Sequence, residues 1–311
     1  MEKSNMNNKY KILMRGNFGK SHNQICDENH IRDAFRELGH EVFENDESQI
    51  ANIDLILTFK SNSIGPETIR EWKLKTNAPI WIWTFDNMDR FPWFYDIAKE
   101  CDLWLGEELE RVDRFKQQSI PFYYFPNHAV PQKYFYKVDK PKIYDAVFTG
   151  TPYDEQYDPD KFELLKAIQE KFDLHIFGND GHGWINRGFK NVHPPAFDDC
   201  LSKVYGQSKI VIGISNCQCE GYWSIRSSQA LMCGAFMLVR FTPQMEKELK
   251  DNVVYFNSIP DCLEKIDYYL KNESEREMIA QQGYEYAQKY LTNKQRCKEL
   301  IILFENFKKY V

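Results

Sequence analysis

Between residues 220 and 238 the chain carries residue types suited to holding an anion. Ser224, followed by Ile225, Arg226, Ser227 and Ser228, reads as a helix N-cap, because its hydroxyl can take one of the unpaired backbone N–H groups that open a helix. Those N–H groups, with the helix dipole behind them, favour negative charge. Arg226 falls in the first turn, where a cation works against the dipole unless it faces a negative partner. A diphosphate would be such a partner, since a guanidinium grips it with two parallel hydrogen bonds. The plainer alternative is a surface arginine paired with a carboxylate. Ser227, Ser228 and Ala230 are small and let backbone approach closely.

The neighbouring elements must place this run. Ile210 to Ile214 and Phe236 to Val239 are apolar, and the helix-compatible residues between them stop at Gly234. That order is the strand-helix-strand unit of a parallel sheet, which puts the site at the carboxyl ends of the strands.

Tyr222-Trp223-Ser224-x-Arg226, continued by Gln229-Ala230-Leu231-x-x-Gly234-Ala235-Phe236-x-Leu238, resembles the nucleotide-sugar-binding motif of glycosyltransferases with the GT-B fold. The branch it resembles is that of the spore-maturation-protein-like transferases. Val253 to Phe256, the apolar positions Leu263, Ile266 and Leu270, and the segment from Glu275 to Gly283 extend the likeness. It covers residues 145 to 300 well and the N-terminal half in outline.

The resemblance implies an α/β protein of two Rossmann-like domains facing a cleft, with a C-terminal helix crossing back to the N-terminal domain. It implies donor contacts from Gly150, Thr151, Gly178, His193, Tyr222, Trp223, Ser224, Ile225 and Gln229, with Arg226 at the departing diphosphate. It also implies a retaining reaction. Neither a metal nor another cofactor is expected, because a cation and a helix end can offset the leaving charge; the nucleotide-diphosphate sugar is a co-substrate. Many relatives have Glu where this chain has Gln229, and that carboxylate accepts from both ribose hydroxyls of the donor. Gln offers one acceptor oxygen and no charge, so the ribose contact should be weaker or differently oriented.

At 311 residues the chain exceeds the usual single core, which points to two domains. The expected division is 9–137 with the terminal helix 292–311, and 138–291. Apolar residues make up 42% and aromatics 15%, enough to fill two cores. A net charge of −6 without a basic stripe makes DNA a less favoured partner than a glycan, protein or small-molecule acceptor. Eight scattered cysteines, with Cys217 and Cys219 one residue apart and no second pair near, point to reduced thiols rather than zinc or disulfides. A polar start and short apolar runs give no leader and no membrane span, so a cytoplasmic protein is expected.

Along the N-terminal half, Tyr10 to Met14 reads as a strand leading into the loop that holds Gly16, Asn17, Phe18 and Gly19. A helix through Ile31, Ala34, Phe35 and Leu38 then stops at Gly39. The loop lacks the dinucleotide fingerprint, so NAD is poorly supported. It is either an acceptor-side contact, as the resemblance implies, or a plain turn. Strands are expected at Ile53 to Phe59, Ile80 to Phe85, Asp102 to Leu105 and Phe122 to Phe125. Asp86 and Asp89 follow the second of these and are open between general base and helix cap. Asn127 and His128, held between Pro126 and Pro131, could reach a sugar or simply shape the turn between domains. In the C-terminal half the loop from Gly178 to Trp184, expected to leave the tryptophan exposed, and the segment around His193 match the nucleobase region of the family.

The functional expectation is a transferase moving a sugar from a nucleotide-diphosphate donor to an acceptor hydroxyl. Two other readings stay in view: a non-catalytic nucleotide-sugar-binding protein, and a transferase acting on modified DNA bases.

Overall fold

The computed structural model describes residues 8–21, 24–59, 64–85, 94–107, 109–152, 160–215 and 220–309. Asp86, Asp89, Cys217 and Cys219 lie outside the described residues. The chain divides into two units, residues 1–127 with 293–311, and residues 128–292.

In the first unit β1 (Lys11–Arg15) leads through a short antiparallel ribbon, β2 (Lys20–Ser21) and β3 (Gln24–Ile25), into α1 (Asp27–Glu37). Then come β4 (Glu41–Glu44), β5 (Leu55–Phe59), α2 (Pro66–Lys75), β6 (Ile80–Trp83), α3 (Phe94–Glu100), β7 (Leu103–Gly106), α4 (Val112–Gln117) and β8 (Phe122–Tyr124). Six strands form one parallel sheet in the order β4-β1-β5-β6-β7-β8. β5 and β6 are buried at every position, as their unbroken apolar sequences require of central strands covered on both faces. Along β1, Ile12 and Met14 enter one core while Leu13 enters the other, which is the two-residue alternation of a pleated strand.

The second unit runs β9 (Tyr144–Thr149), α5 (Lys161–Lys171), β10 (Leu174–Phe177), α6 (Gly181–Asn186), β11 (Asn191–His193), α7 (Asp198–Gly206), β12 (Ser208–Gly213), α8 (Ile225–Met232), β13 (Met237–Arg240), α9 (Pro243–Leu249), β14 (Val254–Phe256), α10 (Ile259–Lys271) and α11 (Glu273–Tyr290). Its strands are also all parallel, in the order β11-β10-β9-β12-β13-β14. The first and fourth strands of this unit are therefore neighbours, and the connections diverge between them. Such a switch point is where open α/β sheets bind ligands, outside the carboxyl ends.

The boundary falls between Asn127 and His128, ten residues before the expected 137/138 division. The segment after it is woven into the second unit: Val130 N–H donates to the Leu291 carbonyl at 2.9 Å, and Phe135 is buried in the core beside Trp223 and Leu231. At the other end α12 (Asn293–Phe307) belongs to the first unit. It buries Cys297, Leu300, Ile301 and Phe304 in the core that holds Ile12, Ile31 and Trp81. The Phe304 ring meets Trp81 and Tyr10 edge-on at 5.8 and 5.1 Å. β4 escapes a sequence reading because its ends are glutamates; it is an edge strand with one fully buried residue, Val42. No helix among the described residues is long and apolar enough to cross a membrane.

Phe304→Ala should lower the stability of the protein to denaturant by about 3–5 kcal/mol, the usual range for emptying an aromatic core site. A loss below about 1 kcal/mol in chemical denaturation would show that α12 is not part of that core.

Candidate functional site

At the carboxyl ends of β9 and β10 the backbone is packed as closely as glycine allows. A Cβ added to Gly178 would lie 1.9 Å from the Gly150 carbonyl oxygen and 2.8 Å from the Trp184 ring nitrogen. No residue but glycine fits there, and the reason is space rather than backbone conformation. Gly150 N–H donates to the Phe177 carbonyl at 3.1 Å, and Trp184 Nε1–H donates to the Gly150 carbonyl at 3.3 Å. Trp184 is fully buried, against the exposed position expected, because α6 forms where a loop was read and turns the indole into the core beside Phe148 and Phe162. Thr151, next along, is half-buried.

Arg226 reaches this place from α8. Its guanidinium donates to the Ile214 carbonyl at 3.2 Å, one residue past the end of β12. Its central carbon would stand 3.8 Å from a Cβ on Gly150, at the end of β9. The side chain thus bridges the two strands at the switch point. Ser224 caps α8, its hydroxyl accepting from Arg226 N–H at 3.4 Å and its carbonyl from Ser227 N–H at 3.0 Å. Gly234, at φ +69, ends the helix in the left-handed region that favours glycine. Beneath the arginine, Tyr205 is wholly buried and its hydroxyl pairs with Thr149 Oγ1 at 2.8 Å. Burial pushes the phenol well above its ordinary range, with the nearby Arg226 charge acting against that, so Tyr205 stays neutral. Gln229 and Ser228 are buried on α8, Ile225 is half-buried and Tyr222 is half-exposed.

Trp223 is 1% exposed and donates from its ring nitrogen to Glu248 Oε2 at 2.9 Å. The same oxygen lies 3.2 Å from His128 Nδ1, and the other accepts from Gln244. The His128 ring lies over the Trp223 ring at 3.5 Å between centroids. His128 is therefore buried among these groups, a position the turn between two prolines did not disclose. Burial alone would raise the Glu248 pKa, but the hydrogen bonds and charge of His128, with bonds from Gln244 and Trp223, carry it down to about 2.

His193 ends β11, and its carbonyl accepts from Gly178 N–H at 3.4 Å. Its ring lies parallel to Phe177 at 4.4 Å and its Nε2 is 2.7 Å from His175 Nδ1, whose other nitrogen is 3.0 Å from Asp173. Burial and then the neighbouring His175 lower the His193 pKa, favouring the neutral ring. The second unit thus brings Gly150, Gly178, Ser224, Ile225 and Arg226 together around one switch point, with His193 joined through its backbone to Gly178.

In the first unit the loop after β1 is pinned on both sides. Gly16 exchanges two hydrogen bonds with the Asn45 side chain, both 3.1 Å. Asn17 N–H donates to Glu28 at 3.4 Å, Gly19 N–H donates to Asn17 Oδ1 at 3.0 Å, and Phe18 packs on the core. Burial raises the Glu28 pKa. Asn127 is 2% exposed; its N–H donates to Glu107 at 3.1 Å, and its side-chain amide has no hydrogen-bond partner among the described residues. Among the described residues no three His, Cys, Asp or Glu side chains are grouped to hold a metal ion. Tyr205, Glu28 and Glu248 carry no motif and were missed by sequence; for Glu248 only the helix start at Thr242-Pro243 was available.

Residues 161–302 match a family model described as glycosyl transferase-like. No curated protein matches the sequence. Among solved structures, sucrose-phosphate synthase from Thermosynechococcus elongatus shares the fold with a TM-score of 0.67 at 10% identity, over 97% of this chain and 100% of its own. HepE from Anabaena, solved with UDP and glucose, gives 0.64 at 13% identity over 96% and 100%. The DNA-modifying enzyme β-glucosyltransferase, solved with and without uridine diphosphoglucose, gives 0.65 at 14% identity over 96% and 98%. With these neighbours, the two parallel six-stranded sheets and their helices define the fold as that of GT-B glycosyltransferases, two Rossmann-like domains in one chain.

Glu248 has a folded pKa of about 2 against an ordinary 4.5. A depressed carboxylate contributes stability above its unfolded pKa and loses it as pH falls through the folded value. The melting temperature should therefore decline between about pH 4.5 and pH 2, and Glu248→Gln should flatten part of that limb. An acid limb identical in wild type and variant would contradict the pairing of Glu248 with His128 and Trp223.

Proposed function

We propose that this protein is a nucleotide-sugar-dependent glycosyltransferase that moves a sugar to an acceptor hydroxyl, with a uridine diphosphate sugar as the first donor to try. The observation that carries it is the Arg226 guanidinium at the switch point of the second sheet, beside Gly150 and above the capped start of α8. In such a reaction the bond from the anomeric carbon to the diphosphate oxygen breaks, and charge builds on the departing diphosphate. Preorganised donors aimed at that charge supply the largest catalytic contribution in many enzymes. The Arg226 guanidinium and the N–H of Ile225, which opens α8, have the chemistry for it, and Gly150 leaves the space. On the resemblance, Gly178 and the His193 backbone are the groups that would hold the base of the donor. The family model and the HepE and β-glucosyltransferase structures, whose ligands are UDP and UDP-glucose, support the same class.

The finer points rest on the resemblance of residues 222–238: retention of configuration, independence of a metal ion, and the spore-maturation-protein-like branch. Asp86 stays a proposed base or acceptor-orienting group on the same footing, with Gly16 to Gly19 and Asn127 on the acceptor side. The acceptor is a glycan, protein or small molecule. A net charge of −6 makes DNA a less favoured acceptor, and salt-sensitive DNA binding would favour it instead.

Arg226→Ala should cut turnover about 10²–10³-fold, read as nucleoside diphosphate released from a donor and acceptor panel. Turnover equal to wild type would remove Arg226 from the mechanism. The competing reading, a binder that consumes no donor, is motivated by Gln229. It predicts that nucleotide sugars raise the melting temperature while no product forms with any acceptor, whereas the transferase reading requires acceptor-dependent release.

A further inference from the structure

Glu248 takes part in no motif and sits on α9, yet it accepts from the Trp223 indole and from the histidine that covers it. The indole nitrogen donates to it at 2.9 Å, and His128, which covers the indole face, lies 3.2 Å from the same oxygen. Gln244, one turn earlier on the same helix, donates to the second oxygen. The carboxylate is itself held still. Thr242 caps α9 by accepting from Met245 N–H at 3.2 Å, and Pro243 opens it. Tyr286 and Tyr255 donate their hydroxyls to the carbonyls of Glu248 and Met245 at 2.7 and 3.1 Å, tying α9 to α11 and β14. Met245 and Leu249 are buried in the same core as Trp223.

Trp223 is immediately followed by Ser224, the residue that leaves extended backbone at φ −73, ψ 133 to start α8. Where the indole is fixed, the direction of the first helical N–H groups and of Arg226 is fixed with it. We propose that Glu248 is a positioning residue of the donor site, acting through Trp223 to set the start of α8 against the donor diphosphate. This rests on the nucleotide-sugar reading above and adds to it a residue that never touches the ligand. Its depressed pKa keeps it an anion, so it accepts from both neighbours at any pH near neutral.

The physical consequence is specific. Replacing the carboxylate by an amide removes the charge from the oxygen that serves both the indole and the imidazole and turns an NH2 toward the Gln244 amide, so the bonds that hold Trp223 weaken. The loop then no longer has one position, and diphosphate affinity falls without any ligand contact being removed.

The test measures, by calorimetry, binding of whichever of UDP, GDP, ADP and dTDP wild type takes most tightly, together with the ligand-free melting temperature. Glu248→Gln should weaken that ligand about tenfold. Trp223→Phe keeps an aromatic ring but removes the N–H donor with the pyrrole half of the indole, so it breaks the same bond with Glu248 intact and should weaken binding in the same direction. The double variant should be no weaker than the worse single variant, since both break one bond. Phe304→Leu, a core change in the first unit, should lower the melting temperature with affinity unchanged. Affinity in Glu248→Gln and Trp223→Phe within about twofold of wild type, or losses that simply add in the double variant, would overturn the inference. Wild type that binds none of the four diphosphates would overturn the glycosyltransferase reading, and this inference with it.

Discussion

A guanidinium in the first turn of a helix faces the positive end of that helix, and the protein accepts this at Arg226 in the middle of its second sheet. The cost is modest in isolation, a fraction of a kcal/mol to about 1 kcal/mol, and it changes sign when an anion sits between the two positive groups. The surroundings are organised so that the arginine stays there. Its guanidinium is bonded to the Ile214 carbonyl, the backbone opposite is the glycine at 150, and the buried Tyr205 below is kept neutral. Gly178 crowds Gly150 from the other side, so the rim of the sheet is close-packed there.

Much of this was legible in the sequence. The Ser224 cap, the Gly234 stop and the apolar runs of β12 and β13 carry their meaning locally, because caps, left-handed glycines and two-faced strands depend on chemistry within a few residues. The place of α12 in the first unit follows from the resemblance to the GT-B fold, and its buried residues Cys297, Leu300, Ile301 and Phe304 form one stripe.

What sequence did not disclose depends on partners far along the chain. Glu248 reads as one more surface glutamate of a helix rich in charge, and only the fold brings His128, 120 residues away, to its side. Trp184, in a run of glycines, reads as exposed because glycine marks loops; here the glycines open a short helix whose tryptophan closes the core. The segment between Pro126 and Pro131 reads as a turn between domains, whereas the Val130 N–H bond to Leu291 and the burial of Phe135 make it part of the second unit. Tyr205 could not be singled out, since a tyrosine on a helix gives no sign that its hydroxyl will be buried against Thr149.

Both sheets use the same parallel logic, but their rims differ in charge. The second unit presents a cation and a capped helix start; the first presents a loop pinned by Asn45 and by Glu28, whose pKa burial raises. The most direct measurement is a crystal structure of the protein grown with UDP. The account predicts the β-phosphate oxygens within hydrogen-bond distance of the Arg226 guanidinium and of backbone N–H groups at the start of α8. UDP bound elsewhere, with the Arg226 guanidinium still turned to the Ile214 carbonyl alone, would contradict it.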